Sequence, residues 1–347
     1  MESIYWVLNH ACHRRCKHCY DERFRPYVRG ALEAKVCESE AAFPTIIKNL
    51  PARLGYPGED GAWVTGRIIL AGGEVLVDPV RRRVLYPVLE ALQAKYDGNA
   101  QIIVQTTGDL VTGEIVDDLL ARGVWMISIS GMDDFHVGLE GDKRLPLIDR
   151  LHALFHSRDM AHMGEGGPRR TANTPPSAWY HFFGATEDAW IGKLWPRGRA
   201  WENGLTRATL DDNFCNAWSG GLNFLKYGHA GSEVSIEPDG KVYPCCLKTA
   251  APLGDLTEES LTDLLDALAA EPALQAIDRG DPAAMGEAYG WSREDFIAQS
   301  VKTDPTGRTV ENLCLGCDRF FQQVMGPILE QAAQRRRSLR SKGRSAC

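Results

Sequence analysis

The chain begins with an apolar run, "SIYWVL" (3–8), too short and too continuous for an amphipathic helix and of strand length. Three more runs of the same kind follow: "RIIL" (67–70), "QIIVQTT" (101–107) and "VWMISISG" (124–131). Between them lie stretches whose apolar positions recur at helical spacing, over 31–49, 84–96 and 113–123, with a fourth over 145–157. Pro44 should interrupt the first of these, and Gly123 is placed to close the third as a C′ residue. Strands separated by helices of this length imply βαβ units and a parallel sheet. In such sheets the functional loops gather at the carboxyl ends of the strands. "CHRRCKHCY" (12–20), "AGGE" (71–74), "TTGD" (106–109) and "SGMDDFH" (130–136) each follow a strand, so all four should converge on one face.

Beyond residue 160 the pattern loosens. Residues 162–178 are rich in Gly, Pro and Thr and read as a loop or lid, and an aromatic-heavy segment follows over 179–201. Its rings, Trp179, Tyr180, Phe182, Phe183, Trp190, Trp195 and Trp201, either line a pocket or pack a core. From about 210 cysteines and Gly-Pro punctuation appear, then helices over 258–270 and 320–335, which places a boundary near 205. Six basic residues between Arg335 and Arg344 read as a solvated, disordered tail, or else as a contact for an anionic partner.

Composition narrows the partners. The 347 residues are 44% hydrophobic and 24% charged, ordinary for a globular protein, and the net charge of −7 gives no reason to expect nucleic acid. No apolar run approaches the roughly 20 residues of a membrane span, and "MESIYWVLNHAC" has no signal-peptide pattern, so a cytoplasmic protein is expected. In a reducing compartment clustered cysteines point to metal or catalysis rather than disulfides. Of ten cysteines, Cys37 and Cys347 stand alone and read as inert.

Cys12, Cys16 and Cys19 can serve one zinc ion, with His10, His13 or His18 as fourth ligand, or three irons of a cluster whose fourth iron stays open. Arg14, Arg15 and Lys17 should lower these thiols' pKa values. The later set, Cys215, Cys245, Cys246, Cys314 and Cys317, has enough ligands for a closed site, zinc or [4Fe–4S].

"CHRRCKHCY" resembles the CxxxCxΦC loop of radical S-adenosylmethionine (radical SAM) enzymes, with His18 at the aromatic position. "GGE" (Gly72, Gly73, Glu74), "TTG" from Thr106 and "SISG" from Ser128 follow in that family's order, although Ser130 stands where an Asp is usual. "WPRGRAW" (195–201) resembles a later P-x-GRA segment, in which Arg197 or Arg199 would meet a carboxylate. "PDGKVYPCC" and "PLGDLTEESLTDLL" resemble SPASM/Twitch auxiliary-cluster domains, here in a shortened form with ligands for one cluster.

The resemblance implies a partial (β/α)6 barrel over 1–205, then a smaller Twitch/SPASM-like α+β domain over 206–330 and a basic tail over 331–347. It implies one [4Fe–4S] cluster on Cys12, Cys16 and Cys19 that binds S-adenosylmethionine. It places one auxiliary [4Fe–4S] cluster on Cys215, Cys245, Cys314 and Cys317, with Cys246 as the alternative to Cys245. The cofactor would be held by His18, Gly72, Gly73, Glu74, Thr106, Ser128 and Arg199. The implied activity is reductive cleavage of S-adenosylmethionine and hydrogen-atom abstraction from a small molecule or short peptide. The outcome would be a net oxidation or crosslink in natural-product or cofactor biosynthesis, with a reductase or flavodoxin as electron donor. The chain starts at the first barrel strand, which tilts the expectation toward a small molecule. A peptide maturase working with a separate recognition partner is the alternative, and a non-catalytic iron–sulfur or zinc redox scaffold is the rival of another class.

Overall fold

The computed structural model describes residues 1–164 and 178–344, so most of the expected lid lies outside the described residues. One nine-stranded sheet organises the chain. Its strands are β1 (Ser3–Asn9), β2 (Arg67–Gly72), β3 (Gln101–Thr106), β4 (Val124–Ile129), β5 (Ala161–His162), β6 (Trp179–Phe182), β7 (Glu233–Ile236), β8 (Lys241–Tyr243) and β9 (Gly254–Asp255). The spatial order is β9-β8-β7-β1-β2-β3-β4-β6-β5. From β7 through to β5 every neighbouring pair is parallel; only β8 and β9 run antiparallel.

Tyr5, Ile69, Ile103, Met126 and His181 occupy the same face of β1, β2, β3, β4 and β6 and line a single cavity. A flat sheet spreads five strands over about 19 Å, so it must wrap around that cavity as a partial barrel. The opposite face carries Ile4, Trp6, Ile68, Leu70 and Val104, all almost fully buried. It packs under α1 (Arg29–Asn49), α2 (Tyr86–Tyr96), α3 (Gly113–Ala121) and α4 (Leu145–His156). Burial on both faces explains the continuous apolar runs of the sequence.

α1 runs through Pro44 unbroken, against expectation. One missing N–H is tolerated because Val36 and, beyond the proline, Ile46 and Ile47 anchor the helix to the core. Gly123 follows α3 at φ 76°, as a C′ glycine should. β6 was not legible as a strand among its aromatics; it enters between β4 and β5, reversing the order expected of consecutive strands.

The C-terminal part adds the short α5 (Gly198–Glu202), α6 (Leu261–Leu268), α7 (Pro272–Asp278), α8 (Arg293–Gln299), α9 (Leu313–Phe320) and α10 (Gly326–Arg344). The expected disordered tail is instead the end of α10. Arg336 and Arg340 reach the buried Glu259 at 2.8 and 2.7 Å, and Arg337 reaches Glu258 at 3.0 Å. A buried carboxylate needs cationic partners, and the basic run supplies them. Residues 345–347 lie outside the described residues. No helix among the described residues is long and apolar enough to cross a membrane.

Candidate functional site

β1 ends at Asn9, whose side-chain oxygen accepts the Ala11 N–H at 2.9 Å and turns the chain into the cysteine loop. The loop is then clamped from outside. Arg199, 4% exposed, donates from Nε to the Cys16 carbonyl at 2.7 Å, from Nη1 to Glu22 at 3.0 Å and from Nη2 to Phe24 at 2.7 Å. Its own N–H bonds the Cys19 carbonyl at 2.8 Å. Arg199, expected to meet a cofactor carboxylate, spends these donors on holding the loop's shape while also bordering the cavity.

Cys12, Cys16 and Cys19 all line the rim of the cavity, whose volume is about 500 Å³. None is in a disulfide. Burial pushes the Cys12 thiol up to about 12 and the Cys19 thiol up to about 11, and raises Cys16 as well. Arg14 and Arg199 pull Cys16 the other way but do not win, and Arg15 and Lys17 point to solvent. The expected lowering by basic neighbours is thus overridden by desolvation. Three buried thiols on one loop, with no protein charge sufficient to ionise them, fit a bound metal centre that supplies the positive charge itself.

The other expected cofactor residues divide into two layers. His18, Gly72, Gly73, Ser128 and Arg199 border the cavity. Glu74 and Thr106 lie behind it, each 2% exposed. The Glu74 carboxylate accepts from Thr106 Oγ1 at 2.7 Å, from the Thr107 N–H and hydroxyl at 2.8 Å, and from the Leu76 N–H at 3.0 Å. With its oxygens so occupied, Glu74 ties the loop after β2 to the loop after β3. The two glycines have a local cause too. A Cβ on Gly73 would sit 2.2 Å from the Ala11 carbonyl oxygen, and one on Gly72 2.5 Å from that of Asn9.

His18 packs against Phe135 and His136 at ring distances of 5.3 and 4.7 Å. Burial and the neighbouring His136 lower its pKa to about 4, so it stays a neutral ring at physiological pH. His136 is held at 2.8 Å through Nδ1 by Asp133, which also accepts the N–H groups of Phe135, His136 and Ala185. These two residues border the cavity and belong to the "SGMDDFH" stretch that follows β4. Asp133 has its lone pairs spent on that turn, which leaves little for a cation.

A second group of carboxylates and histidine, His10, Asp21 and Glu237, is closed in the same way. Lys248 bridges Asp21 and Glu237, and Arg23 reaches both at 2.6 and 2.7 Å. Glu237 also meets His10 at 3.0 Å. This network joins the cysteine loop to the segment after β8.

The later cysteines assemble from three separate stretches. Cys215 lies in a short turn after Asn213, and Cys314 and Cys317 stand three apart on one face of α9. Asn312 caps α9 by accepting the Cys314 N–H at 3.0 Å and donates to the Thr209 carbonyl at 2.7 Å, which docks the Cys215 segment on the helix. Burial raises all four thiols of Cys215, Cys245, Cys314 and Cys317, and Cys317 feels the other three directly. Cys246 faces the other way: it borders the barrel cavity, near Tyr5 and Tyr20. Arg197 lies half-buried against the four-thiol side, donating at 3.1 Å to the Cys314 carbonyl and pairing with Asp318 at 2.9 Å. Arg197 and Arg199, separated by Gly198 alone, thus brace the two cysteine sets from one turn.

Residues 229–285 match the SPASM family, an iron–sulfur cluster-binding domain. That stretch contains Cys245 and Cys246; the fold brings Cys215, Cys314 and Cys317 to Cys245 from outside it. No curated protein matches the chain by sequence. Among solved structures, BtrN in complex with AdoMet and 2-DOIA is similar at 12% identity and a TM-score of 0.43, over 85% of this chain and 97% of that one. AnSMEcpe with bound AdoMet is similar at 12% and 0.43, over 96% and 100%. SuiB of Streptococcus suis bound to S-adenosylmethionine is similar at 12% and 0.39, over 80% and 67%. Likenesses at that level establish neither activity nor substrate. Residues 229–285, which match the SPASM model, follow a parallel barrel whose first loop carries a CxxxCxxC pattern resembling that of radical SAM enzymes.

Proposed function

We propose that this protein is a radical SAM enzyme acting on a small organic molecule, with one auxiliary cluster. The observation that carries the reading is the division of its buried thiols. Three lie on the rim of the barrel cavity, short of a fourth ligand, and four lie together behind the cavity wall. The rim set suits a [4Fe–4S] cluster with one iron open to S-adenosylmethionine, and the rear set suits a closed cluster. With both bound, the site would supply a 5′-deoxyadenosyl radical that takes a hydrogen atom from an unactivated C–H bond.

The chain's own residues perform the positioning. Arg199 fixes the cysteine loop, and the backbone at Gly72 and Gly73 offers a smooth approach for the methionyl end. Arg14, paired with Asp109 at 2.7 Å, borders the cavity and has a buried Nε without a hydrogen-bond partner among the described residues, suited to the cofactor's carboxylate. Neutral His18 offers an aromatic face to the adenine. Ile69, Ile103, Met126, Trp190 and Trp195 make the walls largely apolar and keep water from a reactive intermediate. A cavity of about 500 Å³ shared with S-adenosylmethionine favours a compact substrate over a long peptide. The rear set lies outside the cavity lining, next in the chain to Cys246, which borders it; that favours an electron-accepting role for an auxiliary cluster there and hence net oxidation.

Anaerobic reconstitution should give about eight irons per chain. Reduction with S-adenosylmethionine should then release 5′-deoxyadenosine; an intact cluster that releases none rules the enzymatic reading out.

A further inference from the structure

The cavity runs the length of the barrel. Gly73, just past β2, borders its mouth, and Arg67, the first residue of β2, borders its foot, about 20 Å away at strand rise. Between them the walls are Ile69, Ile103 and Met126, all apolar. The foot is of different chemistry. Trp218, half exposed, borders it, and the Arg67 guanidinium lies 3.8 Å over that ring. Arg67 spends little of its donor capacity on the protein. Nε donates to Ser3 Oγ at 3.3 Å, and Nη2 lies 3.4 Å from a Glu2 oxygen. Nη1 has no acceptor among the described residues, and the side chain is 13% exposed where it borders the cavity.

The charge, by contrast, is already balanced. Glu2 and Glu233 are both electrostatic neighbours of the guanidinium. Their own oxygens are met elsewhere: Glu2 accepts the Gly231 N–H at 2.6 Å, and Glu233 accepts the hydroxyls of Ser3 and Ser219. Burial nevertheless lowers the Arg67 pKa and raises that of Glu233, so this end of the barrel is poorly solvated.

Unspent donors on a balanced charge select a particular ligand. A guanidinium offers N–H groups and no lone pair, so the ligand must accept. A further anion would face Glu2 and Glu233 at close range, and a cation would face Arg67 itself. An uncharged carbonyl oxygen meets neither opposition and gives the unspent N–H groups their acceptor.

We propose that the foot of the cavity is the substrate's anchoring subsite, taking an uncharged carbonyl oxygen on Arg67 with the rest of the molecule lying along Ile69, Ile103 and Met126. This rests on the enzymatic reading above and names the substrate class for it: a compact, neutral amide or other carbonyl compound whose far end reaches the cysteine rim.

Phenylpropanamide is a suitable probe, with phenylpropanoate and phenylpropylamine as charge controls on the same frame. Each is titrated by calorimetry into the anaerobically reconstituted protein saturated with S-adenosylmethionine, without reductant. The amide should bind at least about ten-fold tighter than either control, and Arg67→Met should weaken it by at least about the same factor, as loss of a hydrogen bond to a charged group requires. Ile103→Trp, which fills the shaft above the foot, should abolish binding with iron content unchanged. Equal affinity of wild type and Arg67→Met for the amide, or retained binding by Ile103→Trp, overturns the proposal; so does either control binding as tightly as the amide. Release of 5′-deoxyadenosine by wild type after reduction is read separately. Cofactor cleavage without selective amide binding removes the anchor alone, and selective amide binding without cofactor cleavage removes the enzymatic reading on which it rests.

Discussion

Lys248 shows how much one side chain carries here. It is 13% exposed and bridges Asp21 and Glu237, both nearly fully buried. Removing one partner of a buried ion network costs about 3–5 kcal/mol, because the remaining charges stay desolvated. Lys248→Met should lower the unfolding free energy in urea by that order, and adding Glu237→Gln should recover part of it. The same network sets an acid limit. Desolvation works to raise Glu237, but His10, Lys248 and Arg23 hold it down at about 2, below the ordinary 4.5. A carboxylate with a depressed folded pKa contributes fully above its unfolded value, and that contribution is lost as pH falls through the folded one. The melting temperature should therefore be insensitive to this group above about pH 5 and fall between about 4.5 and 2. Arg199 is a positioning residue of another kind. Arg199→Met should lose about four irons per chain while the absorbance of the remaining cluster persists, since the rear cysteines do not depend on it.

The elements obey packing more than local propensity. α1 tolerates Pro44, yet the defect remains, and Pro44→Ala should raise stability by about 1–3 kcal/mol in urea denaturation. Gly73→Ala should do the reverse and more sharply, because the added carbon meets the Ala11 backbone and nothing there is free to swing away. The four apolar runs and their helices were legible because burial on both sheet faces writes continuous hydrophobic stretches. β6 was not, since "WYHF" carries a histidine and three rings with no alternation, and its place is decided by Met126 to Ile129 across the sheet. β7 to β9 are four, three and two residues long, shorter than any pattern that periodicity detects. The cysteines of the rim were readable from spacing. The partners of Glu74 and Arg199 were not readable, because they are hydroxyls and backbone groups of other loops, which no local motif displays.

On the scale of the molecule, the turn at Arg197–Arg199 braces both thiol sets. Arg197 adds a half-buried positive charge beside the rear set, and positive charge near a cluster raises its reduction potential. Arg197→Met should shift the auxiliary cluster's midpoint to lower potential in redox titration, with that of the rim cluster unmoved. Cys314→Ala should keep about four irons and still cleave S-adenosylmethionine, as two separate sites require.

The pairing of β1 with β7 also governs how the protein is made. Ser3 and Glu233 are 230 residues apart in the chain. At a synthesis rate of roughly 5–20 residues per second, one side of the barrel's first strand waits about ten to fifty seconds for its partner. Throughout that interval an apolar strand with an open edge is exposed to whatever else is being made nearby. Contacts this distant in sequence also slow folding once the chain is complete. Yield of this protein in a cell should therefore respond more to chaperone supply and growth temperature than its finished stability would suggest.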